Sequence, residues 1–110
     1  MVTYPALVGK ILAQQREVHG VKQGDFAAAL GLSQSAYSRL ESGDSVLNLA
    51  QLRKAAIQLG VPPSKILNWA DNCEAQLRLQ GVEVLSEKPD NPAAIAIGLG
   101  LLAALLMSAR

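Results

Sequence analysis

The sequence predicts an all-α protein: five helices, then an apolar C-terminal oligomerisation segment, with a short β-strand near 82–85 as a possible addition. Three observations predict it. Half of the 110 residues are hydrophobic, yet only four are aromatic, Tyr4, Phe26, Tyr37 and Trp69. That balance favours packing of Ala, Leu and Ile between helices over a β-sandwich. Gly20, Gly31, Gly43, Gly60 and Gly81 each follow a stretch of helical character, where a left-handed C-terminal cap is wanted. Between these glycines, apolar residues recur at spacings of three and four.

The first helix is expected at about 6–19, with Leu7, Ile11, Leu12 and Val18 toward the core. The second, about 23–30, reads "QGDFAAAL". The third is expected at about 34–42, with Ser33 as its N-cap. The fourth, about 49–59, has Asn48 as N-cap and Gln51 three residues on, a variant of the capping box. Its apolar stripe is Leu49, Leu52, Ala56 and Leu59. The fifth starts at Pro62 or Pro63, where a first turn tolerates proline, and runs to about 80. After Gly81, "VEVL" alternates like a short strand and "SEKPDNP" reads as a turn or linker. The expected organisation is a domain at 1–70, a helix extension and linker at 71–92, and the apolar segment at 93–110.

Several function classes recede on composition. One cysteine, Cys73, and one histidine, His19, make neither a disulfide nor a zinc set. Cys73 is read as a packed thiol rather than a nucleophile. No glycine-rich phosphate loop exists, and no spacing supports a Ser/His/Asp set, so no enzyme activity, metal or cofactor is expected. "MVTYPALVGK" lacks the basic start and apolar run of a secretory leader, so a reducing cytoplasmic setting is expected. The formal net charge of +1 hides an asymmetry. Residues 1–70 carry seven basic against four acidic side chains, and residues 71–110 carry three against five. The basic half suits an anionic partner, although its excess is modest for a nucleic-acid binder.

The second and third helices are joined only by Gly31, Leu32 and the cap Ser33. So short a turn forces a steep crossing, with small Ala27 at the contact and Phe26, Leu30, Leu32, Tyr37 and Leu40 inward. Gln34, Ser35, Ser38 and Arg39 then share the outward face of the third helix. An amide, hydroxyls and a guanidinium are the groups that pair with base edges and phosphates. "VKQGDFAAALGLSQSAYSRLESG", followed by "LNLAQLRKAAIQLGVPPSKIL", resembles the helix-turn-helix domain of the Cro and lambda-repressor type over about residues 7–68. The resemblance implies a DNA-binding transcriptional regulator, a repressor in kind, with the third helix in the major groove of double-stranded DNA. It implies that Gln23 contacts a phosphate and buttresses the third helix. Gln34, Ser35 and Arg39 would face base edges, with Ser33 opening that helix and Ser38 on the flank. It also implies a partly buried ion pair between Arg16 and Glu41. The loop "SGDSVLN" departs from the pattern in having no basic residue. Phosphate contact there would come from backbone N–H groups and the start of the fourth helix.

Residues 93–109 carry no charge. As a helix they would measure roughly 25 Å, near the lower limit for a membrane span. Ala96, Gly100 and Ala104 form a small-residue face, and Ile95, Leu99, Leu102 and Leu106 a bulky one. The preferred expectation is a homodimer or higher oligomer built through Ala96, Gly100 and Ala104. A membrane tail anchor is less favoured, and a tail folded back on its own domain is the third reading. The rival function is an antitoxin or membrane-tethered adaptor whose tail binds a partner.

Overall fold

The computed structural model describes residues 1–88. The expectations for residues 93–110, including contact through Ala96, Gly100 and Ala104, lie outside the described residues. The elements run β1 (Val2–Thr3), α1 (Tyr4–Val18), α2 (Gln23–Ala29), α3 (Gln34–Ser42), α4 (Leu49–Leu59), α5 (Pro63–Leu79) and β2 (Val84–Leu85). Among the described residues, no helix is long and apolar enough to cross a membrane.

α1 begins two residues before its expected start. Thr3 caps it, its hydroxyl accepting from the backbone N–H of Ala6 at 3.2 Å, and proline stands in the first turn. Ala6, Leu7, Val8, Gly9, Ile11 and Leu12 are buried. Val18 is not; at 63% exposed it lies beyond the covered part of the helix. Residues 2–3, not expected to be a strand, pair in parallel with β2, Val2 opposite Val84 and Thr3 opposite Leu85. A parallel pair needs a long crossover, and here the whole helical domain supplies it. The strand expected near 82–85 forms at Val84–Leu85 and tethers the chain beyond α5 to the start of α1.

α4 has both halves of its capping box. The Asn48 side chain accepts from Gln51 N–H at 2.8 Å, and the Gln51 side chain accepts from Asn48 N–H at 2.9 Å. Its buried stripe is Leu52, Ala55, Ala56 and Leu59, so Ala55 replaces Leu49 in the expected set. Leu49 is 82% exposed because the first turn of α4 projects past the helices that cover the rest. Asn48→Ala removes one half of the box and should destabilise the domain by about 0.5–2 kcal/mol. Thermal unfolding followed by circular dichroism reads this; an unchanged midpoint would show that water caps α4 equally well.

The core lies between α1, α3 and α5, with α2 and α4 closing its side. Phe26 and Tyr37 meet there with ring centroids 5.3 Å apart and planes tilted by 50°. Such tilted pairs contribute beyond their buried area. Tyr4 ties the start of α1 to α5 by donating its hydroxyl to Asp71 Oδ1 at 2.6 Å. Burial and then that hydrogen bond push its phenol above the usual value.

Candidate nucleic-acid interface

α3 owes its position to small residues on α1. Gly9 is buried against the backbone of Leu40 and Glu41 in the last turn of α3; a Cβ on Gly9 would run into the Leu40 carbonyl oxygen. One turn earlier, Ala6 meets Gly43, whose φ of 85° closes α3 in the left-handed region. A side chain at Gly43 would be strained by that φ and crowded by Ala6, its Cβ only 2.7 Å from that of Ala6. The C-terminal end of α3 therefore rests directly on α1, and its other face is turned outward.

That outward face carries Gln34, Ser35 and Arg39, all exposed, with Ser38 half-buried. Ser33 is exposed at the N-cap, where its hydroxyl accepts from Ala36 N–H at 3.2 Å and lies 3.3 Å from the Ser35 hydroxyl. Its first task is thus to cap α3. Among the described residues, the Arg39 guanidinium has no hydrogen bond or ion pair, so it is open to a ligand. Gln34 donates its amide to Gln23 Oε1 over 3.4 Å. Gly24 leaves room for this, since a Cβ there would stand 3.3 Å from Gln34 Oε1.

Behind the face lies a connected polar network. Arg16 Nε donates to Glu41 Oε2 at 2.8 Å, and Arg16 Nη2 to Glu41 Oε1 at 3.2 Å. The two side chains are only 11% and 9% exposed. Arg16 Nη1 donates to the Val21 carbonyl at 2.8 Å, fixing the α1–α2 turn. Gln23 Nε2 donates to Glu41 Oε1 at 3.0 Å. A continuous path thus runs from Arg16 through Glu41 and Gln23 to Gln34 on the outer face. Burial opposes ionisation of Glu41, but the hydrogen bonds from Arg16 and its neighbours outweigh it and hold the carboxyl below its usual range. The Tyr37 hydroxyl is buried beside this network and makes no hydrogen bond of ordinary geometry among the described residues. Burial first, and the adjacent carboxylate second, push its phenol upward.

Gly9 and Gly24 are site-positioning residues that the sequence reading did not single out, and Tyr37 was read only as an inward core residue. The available signal was slight: a glycine inside an apolar helical run marks either a weak point or a close approach. Cys73 is half-buried, and burial pushes its thiol up, away from nucleophilic character. Among the described residues, no group of three His, Cys, Asp or Glu side chains could hold a metal ion.

Two helices joined by the four residues 30–33, the second exposing amide, hydroxyl and guanidinium groups, can lie in a DNA groove and address base edges. Comparison with known proteins agrees with that architecture. No curated protein matches the chain. The crystal structure of the clp gene regulator ClgR from Corynebacterium glutamicum is similar, with a TM-score of 0.67 and 24% identity over 71% of this chain and 83% of that one. That similarity bears on the fold alone. The model of the family described as helix-turn-helix matches residues 12–66, which is half of the chain and takes in α2, α3 and the Arg16–Glu41 pair. On that match the chain belongs to the helix-turn-helix family of the Cro/C1 type, whose members are DNA-binding regulators.

Proposed function

We propose that this protein is a sequence-specific transcriptional repressor that acts in the cytoplasm as a homodimer, with α3 of each copy in the major groove of its operator. The observation that carries the reading is the exposed face of α3. Arg39 stands there without a protein partner, and Gln34 is steered by Gln23 from a buried network. An arginine can pair bidentately with guanine and a glutamine with adenine. Gln23, at the start of α2, would contact a phosphate, Ser35 would face base edges beside Gln34 and Arg39, and Ser38 would stand on the flank.

Dimerisation follows from affinity. One helix-turn-helix addresses one half-site, and an excess of three positive charges over residues 1–70 gives little nonspecific attraction. A second linked copy makes the second contact intramolecular. Two recognition helices would then sit about 34 Å apart, one turn of DNA. The uncharged run 93–109, pairing through Ala96, Gly100 and Ala104, is the proposed link.

Operator selection from a random duplex library, followed by binding of the parent and Arg39→Ala, tests the assignment. Arg39→Ala should lose preference at one base of each half-site, at a discrimination cost of about 1–3 kcal/mol. Equal affinity and equal selectivity for both proteins would refute the role given to Arg39. No selected sequence at all would refute the DNA-binding reading.

A further inference from the structure

We propose that segment 93–109 of the same chain lays its bulky face, Ile95, Leu99, Leu102 and Leu106, into an apolar groove of the helical domain. Its small-residue face is then left free to pair two chains. The proposal rests on the homodimer reading above and adds to it a docking site within each protomer.

The groove has a volume of about 200 Å³ and opens between the start of α1 and the α3–α4 loop. Tyr4, Val8, Val46, Leu47, Leu49 and Leu67 line it. Val46 and Leu49, 73% and 82% exposed, leave aliphatic surface beside the cleft. Two independent placements bring the tail to this groove. β2 lies beside β1, and β1 runs straight into Tyr4 at the groove's edge. Lys88, the last described residue, has its Nζ 3.6 Å from Asp44 Oδ1, two residues before Val46 on the opposite rim. Both charged side chains are largely exposed, so this contact marks a position more than it contributes stability.

Only residues 89–92 separate Lys88 from the apolar run. The five Cα–Cα steps from Lys88 to Ala93 span at most about 18 Å, so the run begins within that reach of Lys88. Seventeen uncharged residues left in water would be an aggregation liability, and a single pairing face would cover only part of them. At helical spacing Ile95, Leu99, Leu102 and Leu106 share one side, Ala96, Gly100 and Ala104 a second, and Ile97, Leu101 and Leu105 a third. Docking in the groove covers the first set, and pairing of two chains covers the second.

The full-length chain tests this by hydrogen exchange of the 93–109 amides and by light scattering. The proteins are the parent, Val46→Glu/Leu49→Glu and Gly100→Leu. Val46 and Leu49 are exposed, so the double variant should keep the parent's helicity, which circular dichroism checks. We expect protected tail amides in the parent and a loss of roughly tenfold or more in the double variant. Gly100→Leu should lower the mass to that of a monomer while the tail stays protected. Unchanged protection in Val46→Glu/Leu49→Glu overturns the docking. Protection that vanishes together with the dimer in Gly100→Leu would put the tail on a second copy and overturn it as well. Sedimentation of the parent with phosphatidylglycerol vesicles, its tail amides then protected by lipid, would likewise overturn it. If Gly100→Leu stays dimeric with groove-dependent protection, the pairing face is wrong and the docking stands. Failure of operator selection strikes the DNA-binding reading without touching either.

Discussion

Replacing Glu41 with alanine should cost the domain about 3–5 kcal/mol, the usual consequence of leaving a sheltered charge without its partner. The Arg16 side chain is only 11% exposed, and Glu41 accepts two of its hydrogen bonds together with one from Gln23. Water cannot reach the guanidinium freely enough to replace the carboxylate. For a domain of this size the melting temperature should fall by more than about 10 °C. Arg16→Met/Glu41→Leu should lose less than Glu41→Ala, because it removes both charges at once. The same carboxylate gives the fold an acid limb. Its folded-state value lies below the ordinary 4.5, so the folded protein binds this proton less readily than the unfolded chain. The stabilisation is complete above the unfolded value and is lost as pH falls below about 4.5 and through the folded value. Melting curves between pH 3 and 7 check this. Parent and Glu41→Ala should differ most near neutrality and converge in acid. A gap that stays constant down to pH 3 would remove Glu41 from the acid response.

The helix ends were legible because their signals are local. Ser33 caps α3, Asn48 and Gln51 form the box of α4, and Gly43 sits left-handed at the end of α3. In each case one or two adjacent residues carry the whole instruction. The outward face of α3 was legible for a similar reason, since periodicity alone puts Gln34, Ser35 and Arg39 on one side. Periodicity says less about where a face stops being covered. Val18 and Leu49 belong to apolar stripes but extend past their neighbours, so both stand in solvent. Thr3 and Pro5 did signal an earlier start for α1, a capping hydroxyl followed by a first-turn proline, but an apolar count beginning at Leu7 overlooks them. β1 is two residues long and pairs with residues 82 positions away, so it leaves no pattern to count. Nothing in the spacing of Arg16 and Glu41, 25 residues apart, relates them; only a fold does, and the resemblance supplied that fold. The path through Gln23 to Gln34 joins three helices and exists only once they have packed.

Gly9→Ala should be the most damaging single-methyl change in α1. In a helix interior, glycine to alanine ordinarily stabilises by up to about 1 kcal/mol, through propensity and a less disordered unfolded chain. Here the new Cβ would collide with the carbonyl oxygen of Leu40 and stand 3.0 Å from that of Glu41. Both partners are main-chain atoms in the last turn of α3, so no rotamer change relieves the contact. α1 and α3 must separate or α3 must tilt. Overpacking of this kind costs about 1–3 kcal/mol and more where the backbone itself has to move. The same movement would stretch the Arg16–Glu41 hydrogen bonds and shift Gln34 and Arg39 relative to α2. Stability and operator selectivity should therefore fall together, unlike Arg39→Ala, which should alter selectivity alone. For stability Gly24→Ala is the matched control, because its Cβ would meet only the far end of the Gln34 side chain, 3.3 Å away, which can rotate. Melting temperature and operator binding for the three variants separate the cases. A Gly9→Ala protein that melts at or above the parent, and reads the same operator, would show that the close approach of α1 to α3 does not set the position of the recognition helix.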